Sequence, residues 1–493
     1  MPARRHLIQV LALLCLGSSI AFAQLSYTTT FSTNVDGNPG GLAAADFNRD
    51  GKPDLAVLRG TTASVFLNLG AGKFSAPIDS PFGSGFGAGQ ALAADINNDG
   101  KIDLVAMQSN QSLVMLGNGD GTFQAGLPLL LANEPSAIRL GDFNGDGKID
   151  LAVRACPFNS LDCDITVYLG QGNGMFTLDV ALPAPGAGSI WRDLVVTDLN
   201  RDGTLDIAVA ALDVSTSPST SNFMVFFGRG DGTFKAPVVT QVPFTASDGS
   251  PDSLPTIVAG DFNGEATPDI GVETGSDCGT ACGEGVMNIF IDNGAGGFTL
   301  KQSFLASENE GPDFWMSGDL NNDLRPDLMR LSSSDFSGAF KTWENNGTGI
   351  FTSVTNPYSN IHPGFAEIRD LDLSGRHALI LSQGNFGTTD LFVGSNHNGT
   401  PNCPPPPSNV LQAKLCTPGT TTTSTAFTVK ASGNSPVGIK RLELWVDGTK
   451  RGQALSDQLL TSLTLTKGIH QVTVVAVDQY IGIAKNTTTV NVQ

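Results

Sequence analysis

Ten residues, Asp142 to Leu151 (DFNGDGKIDL), carry oxygen-bearing side chains at relative positions one, three, five and nine: Asp142, Asn144, Asp146 and Asp150. Gly147 stands at position six, where the chain must turn sharply. With the backbone carbonyl of Lys148 at position seven, this is the ligand order a calcium ion takes in a short loop. A helix-flanked calcium loop would also need a bidentate Glu at position twelve. Here the flanks are AIRLG and LAVRA, short apolar stretches of strand type. Asp150 is therefore expected to supply the closing carboxylate.

The pattern recurs. Reading positions one, three, five, seven and nine, the first loop offers Asp46, Asn48, Asp50, Lys52 and Asp54, and the second Asp95, Asn97, Asp99, Lys101 and Asp103. The fourth offers Asp198, Asn200, Asp202, Thr204 and Asp206, the fifth Asp261, Asn263, Glu265, Thr267 and Asp269, and the sixth Asp319, Asn321, Asp323, Arg325 and Asp327. A seventh copy from Asp370 keeps the register but has Ala378 at position nine, and is expected to be empty. Six calcium sites are expected in all. In the sixth loop Leu324 replaces the glycine; a side chain forced into a left-handed turn costs about 1–2 kcal/mol, which predicts a distorted site. Loop starts lie 47 to 63 residues apart, a period that signals repeat architecture.

Elements must hold these loops in place. Each loop follows a small-residue apolar stretch such as GLAAA and precedes another such as LAVLR. A third follows (ITVYLG, FMVFFG), then a Gly-rich turn such as GDGTF and a fourth stretch. Turn residues between apolar runs mark hairpins, and four short strands per repeat mark a propeller blade. Loop and turn together resemble the FG-GAP repeats of the integrin alpha-subunit propeller and the related bacterial VCBS-type repeats, over residues 24–400. The resemblance implies an all-β, seven-bladed β-propeller with calcium-binding loops. The segment Leu25 to Thr33 precedes the first loop in the place of a fourth strand, and the last repeat runs out without one. The N-terminal segment is expected to complete the last blade and remove two exposed edges.

Residues 401–409, PNCPPPPSN, form a stiff proline-rich linker. From 410 to 493 alternating stretches with polar turns predict a small antiparallel sandwich, similar to the immunoglobulin-like modules of secreted bacterial proteins. Trp445 is expected in its core.

Composition narrows the functional classes. The formal net charge is −19 over 493 residues, and much of that acidity sits in the loops. No basic stripe suggests nucleic acid. Residues 1–23 combine Arg4 and Arg5, a short apolar core and Ala21-Phe22-Ala23, the pattern of a cleaved secretory leader. No later segment is apolar enough to span a bilayer, so a secreted or periplasmic location is expected. Six further cysteines fall into three local pairs, Cys156 with Cys163, Cys278 with Cys282 and Cys403 with Cys416; an even count in an exported chain favours disulfides. His362, His377, His397 and His470 join no Ser–His–acid set and no paired-His metal motif, and a lone surface histidine is ordinarily solvated. No catalytic residue is assigned.

Strand order puts the aspartate loops and the Gly-rich turns on one face. The other connections, among them residues 81–89, 154–164, 211–222, 273–285, 306–315 and 330–340, emerge on the opposite face and vary in length. That face is expected to bind a protein or glycan. Trp191, Arg192, Phe314 and Trp315 are the candidate ligand contacts, with Phe86, Phe158, Tyr358 and His362 nearby; the alternative for any of these aromatics is burial in or between blades. The favoured function is a calcium-stabilised, non-catalytic adhesion or recognition module. The alternatives are a carbohydrate-active enzyme of the polysaccharide lyase or sugar dehydratase type on the same fold, and a structural module of a surface assembly.

Overall fold

The computed structural model describes residues 27–34, 39–82, 88–108, 112–156, 163–182, 189–213, 220–243, 255–275, 285–307, 314–331, 340–354, 363–371, 377–396 and, with short gaps, 403–493; single gaps fall at 266, 295 and 386–387. Every regular element among them is a strand. Seven four-stranded antiparallel sheets account for most of the chain. The third is typical: Glu134–Gly141, Asp150–Cys156, Asp164–Gly170 and Phe176–Ala181 pair in chain order. Its second strand is buried over nearly its whole length, as befits a strand covered on both faces by neighbouring sheets. Its fourth is largely exposed and carries the polar alternation of an outer edge.

The first strands follow one another in chain order, Pro39–Ala45, Ala88–Ala94, Glu134–Gly141, Ser189–Thr197, Thr256–Gly260 and Phe314–Gly318, and then Pro363–Arg369, which lies against the sixth sheet's Asp327–Leu331 with Ile368 beside Gly318. The last of these packs back against the first, so the series closes on itself. Leu371, Ala378, Ile380 and Val393 of the seventh sheet share one core with Leu42, Leu55, Val57 and Phe66 of the first. The seventh sheet takes its outer strand from the N-terminus: Tyr27–Asn34 pairs antiparallel with Thr388–Asn396, Tyr27 opposite Asn396 and Asn34 opposite Asp390. The closure expected from the sequence is present, one or two residues later than the segment it named. It satisfies backbone groups that would otherwise form an open edge.

Beyond the ring, a three-stranded sheet (Gln412–Thr417, Ala426–Asn434, Gln458–Thr464) faces a five-stranded one built on Ile439–Val446, Gly468–Asp478 and Ile483–Val492. Leu442, Leu444, Val446, Val472, Val474 and Leu459 form the core between them. Trp445 is not in that core. Side chains alternate along a strand, so with Leu444 and Val446 inward, Trp445 lies half-buried on the outer surface. There its Nε1 donates to Glu443 Oε2 at 2.9 Å.

Candidate functional site

The aspartate loops are held by their own backbone. In the first loop the Asp50 N–H donates both to Asp46 Oδ1 (3.0 Å) and to Asn48 Oδ1 (2.9 Å), so those two oxygens converge on one point. The Gly51 N–H donates to Asp46 Oδ2 and the Lys52 N–H to Asp50 Oδ1. The second, third and sixth loops repeat this set of bonds. Two positions need a left-handed backbone, not one. Position six carries it in Gly51, Gly100, Gly147 and Gly203, and position four in Arg49, Asn98, Gly145, Arg201, Gly264 and Asn322. The sixth loop was expected to be distorted; Leu324 instead adopts φ +70° and keeps the position-six bond to Asp319 Oδ2 at 2.8 Å. The loop absorbs the strain and retains its contour. Most of the seventh loop lies outside the described residues; Asp370 is buried.

The ninth carboxylate also holds backbone. Asp150 is fully buried; its Oδ2 accepts the Phe143 N–H (2.9 Å) and its Oδ1 the Gly170 N–H (2.8 Å). Asp54, Asp103, Asp206, Asp269 and Asp327 do the same, each tying the loop to the end of its sheet's third strand. Burial pushes these carboxyls up, Asp103 and Asp150 to about 6 and Asp54, Asp206 and Asp269 to about 7, with the loop's other aspartates adding to the effect. At the end of the third strand, or two residues past it, stands Gly117, Gly170 or Gly228 where position eight is Ile102, Ile149 or Leu205; a Cβ on these glycines would sit 2.0–2.3 Å from that residue's carbonyl oxygen. Where position eight is Pro53 or Pro326, the same place holds Asn68 or Asn345, whose side-chain amide donates to that proline's carbonyl. This pairing of positions was present in the sequence and was missed.

Loop and turn do share a face, and they interlock from sheet to sheet. The Gly121 N–H of the second sheet's turn donates to the Phe47 carbonyl of the first loop; Gly232 does so to Phe143 and Gly349 to Phe262. In the same three places the loop phenylalanine meets the turn phenylalanine edge-on, with ring centroids 5.2–5.9 Å apart. Such pairs contribute about 0.5–1.5 kcal/mol each beyond their burial.

For a divalent cation, each loop offers the carboxylates at positions one, five and nine, the amide oxygen at three and the carbonyl at seven. Asp198 Oδ1 in the fourth loop is buried without a hydrogen-bond partner among the described residues, an oxygen suited to a cation. The side chain at seven also matters. Lys52, Lys101 and Lys148 fold onto Asp50, Asp99 and Asp146 at 2.7–3.0 Å, so a tethered ammonium partly offsets the loop's charge. Among the described residues no three His, Cys, Asp or Glu side chains cluster closely enough to hold an ion by themselves.

The expected ligand contacts fare differently. Trp191 is 1% exposed, packed in the third- and fourth-sheet core and against Phe226. Trp315 is 8% exposed; it lies 5.0 Å from Trp343 and donates Nε1 to Glu273 Oε2 at 2.7 Å, beside the buried Arg330–Glu273 pair. Neither is a surface stacking platform, and both are corrected to core residues. Arg192 is half-buried, and Phe314 is 59% exposed. Phe86, Phe158, Tyr358, His362 and His397 lie outside the described residues, as do Cys278 and Cys282 and much of the expected binding face. Cys156–Cys163 and Cys403–Cys416 are disulfides.

The aspartate-loop face is not bare. Ser435 and Pro436 of the C-terminal domain reach it: the Asp46 N–H donates to the Pro436 carbonyl (3.3 Å), and Arg369 Nη2 donates to the carbonyls of Ser435 (3.3 Å) and Pro436 (3.2 Å). His377 is no solvated surface histidine. Its Nε2 lies 3.4 Å from Asp457 Oδ1 in that domain.

A family model for FG-GAP-like repeats matches residues 46–106, 95–153 and 155–209. No curated protein matches the chain. Among solved structures it is similar to an Agrocybe aegerita lectin described for specific recognition of non-reducing terminal N-acetylglucosamine, at 19% identity and TM-score 0.42, over 68% of this chain and 82% of the lectin. It is also similar to the V. cholerae biofilm matrix protein Bap1 (12%, TM-score 0.43, 78% and 93%) and to the Dos1 propeller (11%, TM-score 0.45, 73% and 78%). No helix among the described residues is long and apolar enough to cross a membrane. Residues 46–209 thus carry FG-GAP-like repeats, within a chain whose described residues build repeated four-stranded sheets.

Proposed function

We propose that the protein is an exported, calcium-stabilised recognition module without catalytic activity, and that its protein or glycan partner binds the face opposite the aspartate loops. One observation carries this reading: the loop face is consumed internally. Its turns interlock from sheet to sheet, and Ser435, Pro436 and Asp457 contact part of it, which leaves the variable connections of the other face for a partner. The two disulfides support export, since such bonds persist in oxidising compartments. Calcium fits the loops as a clamp on loop shape, with ligands at positions one, three, five, seven and nine. A glycan and protein array probed with the full chain, with and without chelator, tests the reading. Binding that disappears with calcium removal is the expected result. No binding, or turnover of an acidic polysaccharide, would overturn it in favour of a structural or an enzymatic role.

A further inference from the structure

The seventh repeat gains two basic residues where the other six have small or apolar ones. The residue before its first aspartate is Arg369, where the others carry Ala, Gly or Thr, and position eight is His377, where they carry Pro, Ile or Leu. The same repeat lacks the carboxylates of positions five and nine, which are Ser374 and Ala378. Both gained residues touch the C-terminal domain. Arg369 Nη2 donates to the carbonyls of Ser435 (3.3 Å) and Pro436 (3.2 Å), and His377 Nε2 lies 3.4 Å from Asp457 Oδ1. Gly438 packs so closely on the Arg369 guanidinium that a Cβ there would collide with Nη1. The His377 N–H is anchored in turn on Asn322 Oδ1 of the sixth loop (2.9 Å). Burial alone would lower His377, but Asp457, with Asp319 and Asp370 behind it, raises it to about 9, so the imidazole carries charge at neutral pH.

The tether is short. Six residues, 397 to 402, separate the ring's last strand, Thr388–Asn396, from Cys403. Cys403 is buried and bonded to Cys416, and Asn434 Nδ2 donates to the Pro406 carbonyl at 3.0 Å, so from there on the linker belongs to the sandwich. A fully extended stretch of that length spans at most about 25 Å. Such a tether holds the domain at roughly millimolar effective concentration beside the seventh repeat, where a few polar contacts suffice to dock it.

We propose that the seventh repeat is a calcium-free docking station for the chain's own C-terminal domain: the His377 cation stands among Asp319, Asp370 and Asp457 where the other loops would take an ion, and Arg369 fastens the turn at Ser435 and Pro436. The lost carboxylates and the gained basic residues are then one change, from holding a metal to holding a domain. Docking of this kind is independent of which ligand binds the opposite face.

The full chain in calcium-containing buffer is compared with the double variant Arg369→Met, His377→Gln by small-angle X-ray scattering and hydrogen exchange. The unaltered chain should scatter as one compact particle and the variant with a larger radius of gyration. Exchange of the Asp46 amide, which donates to the Pro436 carbonyl, and of residues 433–440 should quicken about tenfold or more, the effect of losing about one charge-assisted contact. Exchange in residues 142–153 should stay as it was, which shows the ring intact. Asp457→Asn alters no residue of the ring and should produce the same release, a second route if the double variant folds poorly. Equilibrium dialysis of the unaltered chain should count no calcium beyond the six loops that keep their carboxylates. An unaltered chain that scatters as two loosely tethered bodies, variants that match it in scattering and exchange, or a seventh bound ion would overturn the proposal.

Discussion

At position nine of the described loops a carboxylate without access to water holds two backbone N–H groups, while the carboxylate at position five lies near the surface beside a lysine. The two should respond differently to mutation. Asp150→Asn places an amide donor against an N–H donor and should destabilise the calcium-free protein by about 2–4 kcal/mol. Asp146→Asn disturbs an exposed pair and should cost about 0–1 kcal/mol without calcium, yet weaken the calcium-dependent gain in stability. Urea unfolding of both variants, with and without the ion, separates the roles; equal effects would discard the distinction. The sequence displayed both residues as one oxygen ladder, because spacing reveals which groups are near a loop but not which way each one faces. Charge linkage supplies a second expectation. The ninth carboxyls sit above their ordinary value when folded, so ionising them opposes folding. In metal-free protein, stability should be highest near pH 4 and fall as pH rises through about 6 to 7, each such group contributing about 3–4 kcal/mol. Bound calcium should reverse the slope, since protons then compete with the ion. Melting curves of dialysed protein from pH 4.5 to 8 check this; a melting temperature that rises with pH in the absence of metal contradicts it.

Hairpins and strands were legible because their signals are local. Gly-rich turns between apolar runs located the third and fourth strands, and the N-terminal segment's lack of a partner nearby pointed to a distant one. Trp191 shows where that reading runs out. A register shift between Trp191 and Asp193 breaks strict alternation in the first strand of the fourth sheet, so the face on which an aromatic lands cannot be counted from the loop. The turns also permit a graded comparison of strain and collision. Leu324→Gly relieves a left-handed backbone and should stabilise by about 1 kcal/mol. Gly170→Ala drives a methyl to 2.0 Å from the Ile149 carbonyl oxygen and breaks the approach that lets the Gly170 N–H reach Asp150; a loss above about 3 kcal/mol is expected. Thermal denaturation of the two variants should move in opposite directions, and movement in the same direction would show that backbone geometry is not what these positions control.

Across the whole molecule, stability depends on joining the chain's beginning to the end of its ring. Repeats that contact only their neighbours need their terminal units protected, and a ring achieves this when its last sheet is completed from the far end of the sequence. The C-terminal contacts were illegible for a related reason: Pro436, Lys440 and Asp457 belong to no motif, and only the folded arrangement brings them to Asp46, Arg369 and His377. Ring closure and docking therefore meet at the seventh sheet. That sheet receives Tyr27–Asn34 on its outer edge, while Arg369 at the end of its first strand contacts the C-terminal domain. Removing residues 24–34 would strip the pairing from Thr388–Asn396 and expose a long edge. The truncated protein should unfold at lower denaturant, lose protection from hydrogen exchange first in residues 363–396, and associate through that edge as concentration rises. A synthetic peptide of residues 24–34 added in trans should restore protection in the same stretch. If truncation left exchange in residues 363–396 unchanged, the N-terminal strand would be an ornament on a ring closed by other contacts.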